Sequence, residues 1–379
     1  MLDVFRSLLK IIFSGYLLNS KYLLAMFTVV AMALVGSSSV YATLHTQDAA
    51  VQRRMFDNFK ETYDKNYESK EREDQSFGHF VRSLKVIDEL NSQREHADDA
   101  VFGITHFADF NQTDLIGVPA SEYKPFVPAD HVNMDQKGRK LPGCSDSYDH
   151  NGDKDWSAGS SRLTTSVKNI GNCYYGTWAF AVAEQLESDA MRADADYVLS
   201  PQQLLHCVTA NNGCSSGAST GGSVSAFQYL QDHGLQGENT YPYLSSNGQT
   251  GGPCSTNYNN ELVQVAGYFT TLSGSEGCMA KYVQDTGPVS ACFTVRGSAW
   301  YYYSSGIMSS SQCSGGDQYV VCAQVVGVHL SGYSDYWKVR GSFGSGWGEG
   351  GFVRLSFGHD TCHITQEPIF TEVYTQGDF

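Results

Sequence analysis

The sequence predicts an α+β protein, and three observations carry that assignment. Trp178, Val182, Leu186 and Ala190 recur at helical spacing, which marks a helix with one continuous apolar face. Tyr319 to Val328 is a near-continuous apolar run rich in valine, the pattern of a strand buried on both faces. Ahead of both, Phe56, Phe59, Tyr63 and Tyr67 recur every three to four residues in a charged stretch from Val51 to about Asn91. This predicts helix with an aromatic stripe that needs a partner surface.

Composition narrows the classes of function. A chain of 379 residues with 41% hydrophobic content exceeds one average domain and builds a sizeable core. Its net charge of -15, from 40 acidic against 25 basic residues, excludes nucleic acid or an anionic membrane surface as the main partner. Ten cysteines, most of them in the C-terminal two-thirds, point to a disulfide-bonded fold made in an oxidising compartment. The N-terminus agrees: Lys10 and Lys21 precede an apolar run from Tyr22 to Val35, and Val40-Tyr41-Ala42 suits signal peptidase. That run rises only about 21 Å as a helix, short of a bilayer core of roughly 30 Å. Residues 1–42 are therefore expected to be a signal peptide cleaved near Ala42, with a signal anchor as the alternative and no stable membrane insertion after cleavage.

The segment from Phe56 to Tyr67, with Phe80, Ile87 and Asn91 at second-helix spacing, resembles the inhibitory propeptide of papain-like zymogens. Gly103-Ile104-Thr105-His106-Phe107-Ala108-Asp109 resembles that propeptide's other motif. Arg72, Ser76 and Ser83 depart from it, standing where the family has glutamate, arginine and asparagine. Residues 43–116 are assigned to this domain, and His79 and His106 are read as surface or packing residues. Asn111-Gln112-Thr113 is the only glycosylation sequon, a weak signal by itself. Residues 117–140, with Pro125, Pro128 and the basic run Lys137-Gly138-Arg139-Lys140, read as a linker open to processing proteases. Asp149, Asn151, Asp153 and Asp155 alternate as calcium ligands do, but Gly152 falls at the wrong loop position and no terminal glutamate follows, so a solvated turn is expected. No metal or cofactor is implied.

Residues 141–379 resemble the papain-like peptidase domain through motifs in family order: Ser166 to Phe180, Leu199 to Cys207, Gly213 to Gly217, Tyr241-Pro242-Tyr243, Gly287 to Ser290, Tyr302 to Ile307 and Gly344 to Phe352. The resemblance implies a helical left domain around a central helix, a right domain built on an antiparallel barrel-like sheet, and a cleft between them. Trp178, Ser216, Gly217 and Trp347 match cleft positions. Tyr174 and Tyr175 are candidates for a recognition surface, and Tyr301 to Tyr303 for core. The resemblance also implies disulfides Cys173–Cys214, Cys207–Cys254 and Cys313–Cys362, each closing a loop worth about 3 to 4 kcal/mol in the chain-entropy model. Cys144, Cys278, Cys292 and Cys322 have no implied partner; Cys292 and Cys322 fall on neighbouring strands of the family fold, where either a pair or free buried thiols fits.

The chemistry is where the chain departs from the resemblance. A papain-type nucleophile is a cysteine at the N-terminus of the central helix, where the helix dipole and an imidazolium stabilise the thiolate. Thr177 stands there; its hydroxyl is far less acidic and needs an adjacent base, so it is read as a helix N-cap. The base slot is Val321, the slot that orients the base is Gly341, the tryptophan shielding that pair is Phe343, and the oxyanion glutamine slot is Ile170. His329 lies eight residues past Val321, about 26 Å along an extended strand, and is read as a turn residue. Cys173, the only nearby thiol, is claimed by Cys214. The expectation is a secreted or lysosomal/vacuolar homologue without proteolytic activity, a binding or structural protein whose partners are its own propeptide in the cleft and an unidentified protein or peptide ligand. The alternative is an active cysteine-type endopeptidase with an unorthodox site.

Overall fold

A computed structural model describes residues 43–111, 118–123, 151–215, 222–270 and 273–378. The signal segment, Cys144, Ser216 and Gly217, and the basic linker lie outside the described residues. Two helices come first, α1 (Ala49–Thr62) and α2 (Lys70–Asn91), then the short strands β1 (Val101–Phe102), β2 (Val118–Pro119) and β3 (Lys154–Asp155). Helices α3 (Thr177–Arg192), α4 (Pro201–Cys207) and α5 (Gly222–Asp232) follow, with strands β4 (Leu235–Gln236) and β5 (Glu261–Phe269). Next come α6 (Glu276–Asp285), β6 (Val289–Arg296), α7 (Gly297–Tyr301), β7 (Tyr303–Ser305), β8 (Ile307–Met308) and α8 (Ser310–Cys313). Strands β9 (Gln318–His329), β10 (Tyr336–Arg340), β11 (Phe352–Ser356) and β12 (Glu367–Thr375) close the chain. Among the described residues no helix is long and apolar enough to cross a membrane.

The charged N-terminal stretch forms two helices because each has its own start signal. Asp48 accepts the Ala50 and Val51 N–H groups at the head of α1, and Ser69 accepts the Arg72 N–H at the head of α2. Between them the chain turns through Asp64 at φ +49°. The aromatic stripe finds its partner in α2: Phe56 and Phe59 lie 5.4 and 5.1 Å from Phe80, ring centre to ring centre, and all three are buried. Tyr67 sits past the end of α1, donates to Asp109 Oδ2 at 2.9 Å and stacks on Phe56 at 5.9 Å.

Strand β9 organises the remainder. The main sheet runs β4-β5-β12-β6-β9-β10-β11-β8, with β2 and β3 also pairing to β9. Pairings within it are antiparallel except β8 with β11. Tyr319 to Val328 are all buried, as the apolar run predicts. Helix α3 packs on this sheet and buries every residue from Thr177 to Ala190, more than a single apolar face.

That depth draws charge inside. Lys168 Nζ lies 3.0 Å from Glu187 Oε1 and 3.1 Å from Glu238 Oε2, and Arg340 Nε lies 3.4 Å from Glu184 Oε2. Arg340 and Glu184 are fully buried. Arg340 also donates to Thr165 O at 3.0 Å and Gln324 Oε1 at 2.8 Å, while Gln324 donates to Ser188 Oγ at 2.9 Å and Glu184 O at 3.1 Å. Burial pushes the Glu184 carboxyl up from 4.5 to about 7; the nearby Glu187 charge adds to the rise, while Arg340 and Lys168 oppose it. The folded chain holds this proton more tightly than the unfolded chain. The stability from Glu184 is therefore fully present below about pH 4.5 and is lost as pH rises through 7, on the order of 3 kcal/mol in all. Urea unfolding of the native chain and Glu184→Gln at pH 5 and pH 8 tests this: the gap between them should move by that order in favour of the variant at pH 8. A gap that does not change with pH would refute it.

Candidate functional site and family

The site is built where α3 meets β9. A 3₁₀ turn at Tyr174–Gly176 leads into α3, with Gly176 as the N-cap and no side-chain cap. This corrects the reading of Thr177 as the cap: it is the first helical residue, and its Oγ1 accepts the backbone N–H of Cys322 at 3.2 Å. Gly176 leaves no room for a capping side chain, since a Cβ there would lie 2.7 Å from Cys173 Sγ and 3.0 Å from Leu205. Thr177 itself is buried.

Val321 is buried in β9 one residue before Cys322, in register with Phe293 on β6, and brings no proton acceptor. Gly341 follows β10, and a Cβ there would lie 2.8 Å from the Trp347 ring and 3.2 Å from Phe343. The space a longer side chain would need belongs to an aromatic cluster: Trp347 packs 5.2 Å from both Trp300 and Phe343 and donates its indole N–H to Trp300 O at 3.1 Å. Ile170 is buried, donates its backbone N–H to Ser342 O at 2.8 Å and accepts from the Tyr243 hydroxyl at 2.7 Å; its side chain has no donor. Trp178 is buried within α3, 3.3 Å from the position a Cβ would take at Gly222.

The histidines stand elsewhere. His329 is the last residue of β9 and not part of a turn; its Nδ1 lies 2.8 Å from Asp153 Oδ2 and its ring stacks on Tyr336. Asp153 and Asp155 do not form a free turn either: Asp155 pairs through β3 with Gly327 and meets Lys338 Nζ at 2.8 Å. His106 packs 3.8 Å from the Phe107 ring, and burial, with Lys65 nearby, drives its pKa down to about 4, so it is neutral at pH 7.

Disulfides join Cys173–Cys214, Cys207–Cys254, Cys313–Cys362 and Cys292–Cys322, and Cys278 is disulfide-bonded as well. The Cys292–Cys322 bridge, left open by the sequence, links β6 to β9 beside Thr177, because the register puts the two residues directly opposite.

The N-terminal domain covers this region. Strand β1 pairs with β7, Gly103 N donates to Tyr302 O, Thr105 Oγ1 to Tyr301 O, and the Ser83 and Tyr302 hydroxyls lie 2.7 Å apart. Phe107 then stands among Tyr301, Phe343 and Tyr174 at 5.2, 5.6 and 5.9 Å, and Phe110 lies 5.3 Å from Tyr174. Further on, β2 pairs antiparallel with Val320 and Tyr319, and Tyr123 donates to Glu367 Oε2 at 2.7 Å in a buried contact. Tyr301 to Tyr303 are buried. Phe107, Tyr123 and Glu367 were not singled out by the sequence; Phe107 lies inside a recognised motif, whereas nothing local links Tyr123 to Glu367.

Comparison with known proteins gives the same frame. Residues 151–372 match the papain family cysteine protease model, and residues 56–115 match the cathepsin propeptide inhibitor domain. The chain is 29% identical to cysteine proteinase 2 of Leishmania pifanoi over 365 residues, 94% of this chain and 76% of that protein. It is 28% identical to cathepsin S of Bos taurus over 349 residues, 90% of this chain and 98% of that protein. Among solved structures it resembles digestive procathepsin L2 proteinase from Tenebrio molitor larval midgut, with TM-score 0.68 and 26% identity over 84% of this chain and 99% of that one. A motif-by-motif resemblance, a central helix seated on an antiparallel sheet, and a propeptide domain lying across their junction thus converge: the chain belongs to the papain family of cysteine proteases, in its cathepsin-type form with an inhibitory propeptide domain.

Proposed function

We propose that this papain-family homologue is proteolytically inactive and works as a binding or structural protein of the secretory pathway, extracellular or lysosomal/vacuolar, with its signal segment removed near Ala42. The observation that carries the reading is the environment of Thr177. Its Oγ1 accepts the Cys322 N–H, and the residue before Cys322, at the base slot, is Val321, whose side chain cannot take a proton. The other slots support it. Ile170 offers no side-chain donor to an oxyanion, a loss worth roughly 3 to 4 kcal/mol of transition-state stabilisation. Gly341 has no room for the orienting amide while Trp347 keeps its place. Cys173, the thiol nearest in sequence, is bonded to Cys214. The competing reading, an active endopeptidase with an unorthodox site, draws on relatives that are named proteinases; it would need a base that these contacts do not supply.

Purified protein freed of residues 43–140 should neither form a covalent adduct with a thiol-directed epoxide nor release product from peptide substrates. A single adduct together with peptide cleavage would sink the proposal. Thr177→Cys should remain inactive in the same assay, because base and oxyanion positions stay empty; measurable hydrolysis by that variant would show that Val321 is the wrong slot. Gly341→Asn should destabilise by about 1 to 3 kcal/mol through overpacking against Trp347, read as a lower urea midpoint with unchanged slope.

A further inference from the structure

Two cavities border the loop that follows α3. The first, of about 280 Å³, has an apolar wall of Ala193, Ala266, Val373 and Tyr374. The second, an open groove of about 550 Å³, has a floor of Tyr197, Val198 and Leu262. Leu262 and Ala266 hold less buried positions in the alternating pattern of β5, so they share a face, and four residues of strand set them about 13 Å apart. Tyr374 of β12 stands opposite Gln264, in register between the two. The cavities are therefore neighbours along one strand.

Exposure separates this surface from ordinary packing. Val198 is 52% exposed and Tyr374 is 41% exposed, two of the five large apolar side chains that stand exposed among the described residues. Scattered singly they would need no explanation, but here they rim adjoining cavities. No described residue before Asp189 lines either one, which puts both outside the cover that the propeptide domain makes. They also lie away from Thr177, since the sheet runs from β5 through β12 and β6 before it reaches β9.

The charge around them has one sign. Four carboxylates, Asp189, Asp196, Glu238 and Glu372, line the two cavities against the guanidinium of Arg192. Arg192 is held by Asp189 at 3.5 Å and donates to the Tyr282 hydroxyl at 3.0 Å, while Lys168, which meets Glu238, is shared with Glu187. Apolar pockets set in a negative surface are complementary to large apolar side chains flanked by lysine or arginine.

We infer that the two cavities form a docking surface for an extended, basic segment of a partner protein, which seats one large apolar side chain in each and sets its cations against the carboxylates. In an extended chain residues i and i+4 share a face about 13 Å apart, which is the separation of Leu262 from Ala266. This names a partner class for the binding role proposed above and rests on that role, whereas the loss of catalysis at Thr177 is a separate matter.

The test uses the full chain and a fluorescein-labelled peptide, Lys-Leu-Lys-Gly-Lys-Leu-Lys, followed by anisotropy in about 0.15 M salt, which screens the long-range pull of a chain of net charge -15. Saturable binding at micromolar concentrations is expected for the native chain. It should be at least tenfold weaker for Val198→Lys and for Tyr374→Lys, each of which puts a cation at the rim, and for a peptide with both leucines replaced by serine. Tyr333→Lys adds the same charge at an 87% exposed position between β9 and β10 and should leave binding within about twofold. A loss as large with Tyr333→Lys, or full binding of the serine peptide, would show attraction to bulk charge and overturn the docking surface, as would an absence of saturable binding by the native chain. Either rim variant serves alone if the other loses the near-ultraviolet dichroism of the native chain. Mass spectrometry of the recovered peptide keeps the two readings apart: a cleaved peptide would overturn the non-catalytic reading, and an intact peptide that fails to bind would overturn only the docking surface.

Discussion

The seating of α3 on β9 is the contact from which the other arrangements in this protein follow. A helix buried along its whole circumference must find partners for its polar side chains inside the protein, because water is not available to satisfy them. Gln324, projecting from β9, meets Glu184 O and Ser188 Oγ; Arg340 from β10 meets Glu184; Cys322 meets Thr177. These contacts fix where the strand stands relative to the helix. The register of β6 and β10 on β9 then places Cys292, Phe293 and Gly341 without further choice.

Around that geometry the packing is apolar at several positions, and the contacts there agree with one another. A polar group at Val321 or Gly341 would face apolar neighbours: Trp347 and Phe343 crowd Gly341, and Val321 lies opposite Phe293. A buried polar group set among such neighbours without a partner keeps the cost of its desolvation. The same logic explains the cover. Phe107 meets Tyr174, Tyr301 and Phe343, so the propeptide domain seats an aromatic ring in this apolar ground.

How much was legible in the sequence depended on the range of the interaction involved. The Phe56 stripe and the valine-rich run were readable because periodicity is a local property that burial imposes residue by residue. The role of Thr177 was misread because a cap is decided by which residue first takes helical dihedrals, and the contact that claims its hydroxyl comes from a strand 145 positions later. His329 lay one residue beyond the apolar run that marked the strand, yet still pairs with Tyr336, since ladder pairing tolerates a polar residue at a strand end. For Cys292 and Cys322, adjacent strands were foreseeable, but only the register makes them direct partners.

By itself, the sequence determined the class of fold and the family frame carried by motifs in order, because each of these is written in local spacing and side-chain identity. Tertiary structure alone decided that Thr177 faces a backbone N–H, that Gly341 is closed by Trp347, and that Tyr123 reaches Glu367 across 244 positions of chain. Those outcomes depend on the pairing register around β9 and on how buried donors and acceptors were shared out, and neither is set until the strands and the central helix have packed together.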